Sequence, residues 1–110
     1  MGREDEIERF SVYWVNLDPT KGSEIKKIRP CIVVSPDELN RHLNTVIIVP
    51  LTSTIRNCPF RVRCLVADKE GEAAIDQLKT VDKSRIGKYV SSLRKSEIKQ
   101  MKEVLRQMFE

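Results

Sequence analysis

The chain is poor in the residue types on which several common enzyme chemistries depend. Its 110 residues include one histidine, His42, and three cysteines, Cys31, Cys58 and Cys64. A single histidine excludes a two-histidine zinc site and a histidine acid–base pair. The cysteines are too far apart for a CxxC metal motif, and their odd number argues against a disulfide framework. We therefore expect buried or half-buried thiols, and neither a metal nor another cofactor.

Long apolar runs are also absent. The longest, residues 46–51, is far too short to span a bilayer. The first ten residues, MGREDEIERF, are acidic and lack the apolar stretch of a secretory signal. These features predict a cytoplasmic protein without membrane contact. The length predicts one domain, residues 1–110, in which residues 1–9 form a flexible N-terminal extension.

Positive charge is concentrated in one segment. The formal net charge of the chain is +4, and residues 79–95 contain six cations against Asp82 alone. The six are Lys79, Lys83, Arg85, Lys88, Arg94 and Lys95. Such a run is either an ordinary solvated face or a surface for an anionic partner, and composition alone does not separate the two.

Short β-type segments dominate the sequence. Strands are predicted at residues 10–17, 28–35, 45–51, 59–66, 73–76 and 86–90, with a hairpin-like turn at residues 68–71. A short helix capped by Ser35 and a terminal helix capped by Ser96 complete the pattern. Together they predict a mainly β fold with peripheral helices: a small, SH3-like antiparallel β-barrel with a C-terminal helix. The apolar stripe of that helix predicts core or dimer packing by Ile98, Met101, Leu105, Met108 and Phe109.

Polar residues cluster on two loops that leave predicted strands, residues 21–29 and 52–56. Gly22 allows a tight turn or a close approach to a ligand. Arg29 precedes an apolar strand, where a sheltered guanidinium either binds a phosphate with two hydrogen bonds or forms a salt bridge. Trp14, on a predicted strand, is interpreted as core in preference to a stacking surface.

Five blocks of this sequence occur in the order and spacing of a known family, from about residue 11 to the C-terminus. They are YWVNLDPTKGSE (13–24), RPCIVVS (29–35), PLTST (50–54), PF (59–60) and DQLKTVD (76–82). In these blocks the chain resembles the MazF/PemK/Kid toxins of type II toxin–antitoxin systems. The resemblance implies a barrel like that of the CcdB toxins, a homodimer, cleavage of single-stranded RNA and neutralisation by a cognate antitoxin, which we expect to have an acidic tail.

The resemblance also implies roles for individual residues. In the family the arginine of the RP block and the threonine of the PLTS block are the principal active-site residues, here Arg29 and Thr52. Glu24 and Asp76 match carboxylates that lie near the phosphate or the bases in some members. Glu24 is our third catalytic candidate, as base or as a group that orients Arg29. The expected RNA-binding residues are Lys21, Gly22, Ser23, Ser53, Arg56, Phe60, Asp76, Gln77 and Lys79.

These side chains suit metal-independent RNA cleavage. RNA carries its own nucleophile, the 2′-hydroxyl, so the protein needs only to align it and to stabilise the charge that develops on phosphorus. The expected products end in a 2′,3′-cyclic phosphate, or the 3′-phosphate from its opening, and a 5′-hydroxyl.

The chain departs from the family pattern at three positions. Ala74 stands where one branch has a catalytic arginine, Lys79 replaces the arginine of the usual QxRT block, and Ser23 replaces a histidine of some relatives. The alternative functions are a gyrase-inhibiting toxin of the CcdB kind without catalysis and a noncatalytic RNA-binding barrel.

Overall fold

The computed structural model describes residues 6–19, 21–25 and 27–110. Within them the chain forms seven strands, two α-helices and two 3-10 turns, Ile75–Gln77 and Lys83–Arg85. The strands are β1 (Ser11–Asn16), β2 (Ile28–Val33), β3 (Thr45–Thr52), β4 (Arg61–Val66), β5 (Lys69–Ala74), β6 (Lys79–Asp82) and β7 (Ile86–Ser92). The helices are α1 (Asp37–His42) and α2 (Lys95–Met108). Neither helix is long and apolar enough to cross a membrane.

Strand β3 is the centre of the sheet. On one side it pairs with β2, with Cys31 opposite Pro50. On the other side its first half pairs with β6 and its last two residues pair with β5. Every pairing is antiparallel, and the strand order is β4-β5-β3-β2-β1-β7. Because β5 and β6 share one edge of β3, the sheet bends there and curls into a half-barrel. The predicted mainly β fold with a C-terminal helix is confirmed.

The two faces of the sheet bury separate apolar clusters. Successive residues of a strand point to opposite faces, so Ile32 enters one cluster while Cys31 and Val33 enter the other. Helix α2 covers the first cluster with Met101, which is fully buried. The predicted packing of the α2 stripe is confirmed in the core for Ile98, Met101, Leu105 and Met108. Phe109 is 70% exposed, and its packing in a dimer stays a prediction.

The region around β5 differs from the sequence prediction. The hairpin turn is made by Ala67 and Asp68, both at positive φ as a two-residue turn requires, so β5 already begins at Lys69. Ile75–Gln77, which we assigned mostly to a strand, is a 3-10 turn, and β6 was not predicted. The prediction failed because Ala-Asp is not one of the usual turn pairs, and because β6 is only four residues long.

Both predicted helix caps are wrong by one or two residues. Helix α1 begins after Pro36, and Ser35 instead accepts a hydrogen bond from the Ile47 N–H, which joins the helix to β3. Helix α2 begins after Arg94, whose side chain pairs with Glu97. The thiol predictions hold for Cys31 and Cys64, which are buried, and fail for Cys58, which is exposed.

The predicted N-terminal extension is only partly described, since residues 1–5 lie outside the described residues. Ile7 packs against the second apolar cluster. The Arg9 guanidinium donates to the Val34 carbonyl, and the Arg9 N–H donates to Asp37. The described end of this segment is thus attached to the sheet.

Candidate functional site

Arg29 and Thr52 are brought together by the pairing of β2 with β3. The register sets Cys31 opposite Pro50, and Arg29 and Thr52 lie two residues further along β2 and β3 in the same direction. Both residues are half-buried, and both line a cavity of about 310 Å³, the Arg29 cavity, together with Ser53. The guanidinium and two hydroxyl-bearing side chains thus share one concave surface. These are groups that bind phosphate oxygens.

The threonine hydroxyl has a defined orientation. Its Oγ1 accepts a hydrogen bond from the Thr54 N–H at 3.2 Å, which leaves the hydroxyl proton for another acceptor. Gly71 lies nearby on β5, where an added Cβ would lie 2.8 Å from the Thr52 carbonyl oxygen. Glycine at this position therefore permits the close approach of the two strands beside Thr52.

Trp14 forms part of the wall of the Arg29 cavity. Its side chain is 43% exposed, and it stands opposite Pro30 across β1 and β2. The interpretation of Trp14 as core is therefore wrong: Val12, on the same face of β1, is fully buried, but the face is covered only in part at Trp14. The exposed indole is a planar apolar surface next to a guanidinium, a combination on which a nucleobase can stack.

A second cavity, of about 390 Å³, lies on the other side of Pro50. The loop between β1 and β2 contributes Ser23 and Glu24, and the segment after β5 contributes Asp76, Gln77 and Lys79. We call it the Asp76 cavity. The two walls are tied together, since the Ile25 N–H donates to Gln77 Oε1 at 2.9 Å.

Glu24 is therefore separated from the residues with which we grouped it. It lines the Asp76 cavity, whereas Arg29 and Thr52 line the other. Its carboxylate accepts the Lys21 N–H at 2.5 Å across a turn in which Gly22 has φ +57°. Lys21 and Gly22 form this exposed turn and line neither cavity.

The loop after β3 carries Arg56 and Phe60 to the surface. Phe60 is 41% exposed, and Arg56 is exposed. Neither lines either of the two cavities. The predicted contacts of Arg56 and Phe60 with RNA thus require an RNA strand that extends beyond the two cavities.

Sequence reasoning missed a charge network between the two cavities. Arg61, only 8% exposed at its side chain, forms an ion pair with Asp76 at 2.8 Å and with the buried Glu72 at 3.4 Å. Burial acts to raise the pKa of Glu72, but hydrogen bonds from the Asn57 and Arg56 N–H groups and from Arg61 outweigh it, so the pKa lies below its ordinary value. Hydrogen bonds from Arg61 likewise hold the pKa of Asp76 below its usual value. The sequence carries no clear signal of this network, because Glu72 stands in a strand that also contains Lys69 and Glu70.

The basic segment 79–95 is partly structural. Arg85 donates to the backbone carbonyls of Asn16 and Asp18, and Lys83 donates to the carbonyl of Asn40. Arg94 pairs with Glu97. Arg85 and Lys83 therefore connect separate parts of the fold, whereas Arg94, with a side chain that is 59% exposed, pairs locally with α2.

Known proteins resemble this chain in sequence and in fold. The family described as PemK-like, MazF-like toxin of type II toxin–antitoxin system matches residues 8–109. The endoribonuclease toxin MazF of Escherichia coli strain K12 is 38% identical over 68 residues, which are 62% of this chain and 61% of that protein. This chain thus spans about three fifths of the curated relative that it matches.

Two solved structures illustrate the structural similarity. An endoribonuclease in complex with its cognate antitoxin from a mycobacterial species has a TM-score of 0.78 at 25% identity, with 92% of each chain covered. MazF from Deinococcus radiodurans has a TM-score of 0.82 at 22% identity, with 94% of this chain and 96% of that chain covered. The latter similarity concerns the fold alone.

Proposed function

The chain belongs to the PemK-like, MazF-like toxins of type II toxin–antitoxin systems, and we propose that it is an endoribonuclease that cleaves single-stranded RNA at specific sequences. The observation that carries this proposal is the position of Arg29 beside Thr52 and Ser53 in one cavity. The names of the E. coli and mycobacterial relatives, both endoribonucleases, support the same activity. The cytoplasm, where RNA is made and translated, is the proposed place of action.

The proposed reaction is attack of the 2′-hydroxyl on the adjacent phosphorus. In this proposal Arg29 stabilises the additional negative charge of the transition state and passes a proton to the departing 5′-oxygen. The Thr52 hydroxyl, oriented by the Thr54 N–H, donates to a phosphate oxygen, and Ser53 supports it. No step uses a cofactor.

The proposed role of Glu24 follows from its place in the Asp76 cavity. Glu24 lines a different cavity from Thr52, and in the proposed complex it would lie beside a neighbouring nucleotide. This location favours contact with RNA over proton transfer at the scissile phosphate. The base that accepts the 2′-hydroxyl proton is therefore not assigned to a side chain.

The two cavities are neighbours at the end of β3. Pro50 lines the Asp76 cavity, and Leu51, Thr52 and Ser53 line the Arg29 cavity. Two such neighbouring cavities suit consecutive nucleotides of one RNA strand. We propose that the Arg29 cavity holds the scissile phosphate, that Trp14 stacks on a base, and that the polar groups of the Asp76 cavity read the edge of a neighbouring base. Lys21, Gly22, Arg56 and Phe60 would contact the strand on either side.

Incubation of the purified protein with a long unstructured RNA distinguishes this function from its alternatives. We expect discrete cuts at a short recurring sequence. A noncatalytic RNA-binding barrel would retard the RNA without cutting it. A gyrase inhibitor of the CcdB kind would leave RNA intact and block DNA supercoiling, and either of these outcomes would exclude the nuclease.

We further propose that the toxin is a homodimer neutralised by an antitoxin with an acidic, disordered tail. Large exposed apolar side chains that line neither cavity, among them Tyr89 and Phe109, support a surface that is covered in an assembly. The mycobacterial relative was solved with its cognate antitoxin, which supports a protein inhibitor of this kind.

The cognate antitoxin is expected to compete with RNA. An acidic tail that folds across the Arg29 cavity would meet the same cations as the RNA backbone, so its affinity should fall as salt is raised. The measurement is a titration of labelled, uncleavable RNA bound to the toxin, at several salt concentrations, with the mass of each complex recorded. Simultaneous and independent binding of RNA and antitoxin, or a toxin of 12.7 kDa in solution, would contradict this arrangement.

A further inference from the structure

Arg61 links a carboxylate of the Asp76 cavity, Asp76, to the buried Glu72 on β5. It is the first residue of β4, and the register of β4 with β5 places it opposite Ala74. Its Nε and Nη2 donate to the two carboxylate oxygens of Asp76 at 2.8 and 3.2 Å. Its Nη1 donates to Glu72 at 3.4 Å. A guanidinium that grips both oxygens of a carboxylate fixes the plane of that carboxylate.

Glu72 anchors the other end of this network. Its side chain is 1% exposed, and Oε2 accepts the Asn57 N–H at 2.8 Å. Glu72 is also the strand partner of Thr52 across β3 and β5. A buried carboxylate beside the last residue of β3 thus holds the loop that follows Thr52.

Asp76 is the exposed end of the network. Its side chain is 46% exposed and lines the Asp76 cavity. Arg61 occupies one acceptor position on each oxygen, and a carboxylate oxygen has two. The Asp76 carboxylate also accepts a hydrogen bond from its own backbone N–H, which leaves at least one position, oriented by Arg61, for a donor from the cavity.

We infer that Arg61 is a specificity-determining positioning residue, which orients Asp76 to accept hydrogen bonds from a base with an exocyclic amino group and to reject uracil. Adenine, cytosine and guanine present an amino donor at the pairing edge. Uracil presents carbonyl oxygens on both sides of its N–H, and these would face the carboxylate oxygens. A fixed carboxylate therefore discriminates between the two classes of base, whereas a freely rotating carboxylate discriminates less. The inference rests on the proposed RNA cleavage.

The test compares cleavage preferences of the full chain and its variants. A pool of RNAs randomised around a cleavage site is digested, and the cut ends are sequenced. The wild type should reject uracil at one position of the site. Arg61→Gln should reduce that rejection about tenfold, the scale of one lost base-edge contact. Arg61→Lys, which keeps the charge but not the fork, should lie between them.

A double variant shows whether Arg61 acts through Asp76. Asp76→Asn changes the preference itself, because an amide offers a donor as well as an acceptor. The variant with both Arg61→Gln and Asp76→Asn should then have the preference of Asp76→Asn alone. The matched control is Arg63→Gln, two residues along β4, whose 3.9 Å ion pair with Glu70 is solvent-exposed. The Arg63→Gln variant should cut RNA with the base preference of the wild type.

A merely structural role for Arg61 would lower thermal stability and total activity equally at all sites. An Arg61→Gln variant that cuts with unchanged base preference would therefore overturn the inference, as would a wild type that accepts uracil at every position. A wild type that leaves the whole pool uncut would instead overturn the proposed function, and the inference with it. The thermal unfolding midpoint of each variant separates loss of folding from loss of preference.

Discussion

Replacing Arg29 by alanine is expected to slow RNA cleavage by a factor of at least about 10²–10³, the usual cost of removing one group that stabilises transition-state charge. The fold should survive, because Arg29 lies near the start of β2, half-exposed, and outside both apolar clusters. The measurement is the initial rate of cleavage of a short RNA that contains one cut site. Circular dichroism and thermal unfolding establish that the variant is folded.

Two further variants make the result specific. Arg29→Lys keeps a positive charge but loses the planar fork, so its activity should lie between those of the wild type and the alanine variant. Arg41→Ala removes an exposed cation from α1, which lines neither cavity, and should cut at the wild-type rate. Near wild-type cleavage by Arg29→Ala would show that the catalytic site is elsewhere.

An RNA with a single 2′-deoxy sugar on the 5′ side of the cut should not be cleaved at all. The change removes the proposed nucleophile but only one hydroxyl group. Binding should therefore weaken by no more than about tenfold, since one hydrogen bond contributes a net ~0.5–1.5 kcal/mol. Loss of cutting with retained binding separates chemistry from recognition. The rate and the dissociation constant are measured on the same oligonucleotide.

The chemistry of the ends and the response to EDTA complete that test. The unmodified RNA should be cut equally well in excess EDTA and should yield a 2′,3′-cyclic phosphate, or a 3′-phosphate, and a 5′-hydroxyl. A deoxy sugar placed one nucleotide further from the cut is the matched control and should leave cleavage nearly unchanged. Efficient cleavage of the deoxy substrate, or 5′-phosphate products that disappear with EDTA, would refute attack by the 2′-hydroxyl.

The Arg61 network illustrates why a protein retains a buried ion pair that contributes little to stability. Desolvation of Glu72 and Arg61 offsets much of their attraction, so an apolar pair of similar volume would hold the strands together as well. An apolar pair would neither hold the loop after Thr52 through its N–H groups nor orient Asp76. The network therefore fits a role in positioning groups of the site better than a role in stabilising the fold.

Much of the architecture was determined by local sequence. The apolar periods of β1 to β4 and of α2 identify these elements, since alternation or helical spacing specifies which side of each faces the core. The RP and PLTS blocks likewise identify Arg29 and Thr52 as candidates, because each residue stands at the end of a recognisable strand. The assignment of catalysis to them stays a prediction.

The tertiary structure determines how the candidate residues are distributed between the Arg29 cavity and the Asp76 cavity. Glu24 and Asp76 are 52 residues apart and share one cavity, whereas Glu24 and Arg29 are near in sequence and line different ones. The division follows from β3, which pairs with β2 on one edge and with both β5 and β6 on the other. A local pattern specifies which residues form a strand but not which distant strand becomes its neighbour.

The same reason explains why the exposure of Trp14 and the contacts of Arg61 were not predicted from the sequence. Trp14 is a large apolar residue of the kind found in cores, yet it is 43% exposed, because that face of β1 is fully covered at Val12 and only partly covered at Trp14. Arg61 meets Glu72 and Asp76 only because β4 and β5 are joined by a two-residue turn at Ala67 and Asp68. A shift of one residue in that pairing would turn these side chains to opposite faces of the sheet, and the register is fixed by the whole buried face rather than by any of the three residues.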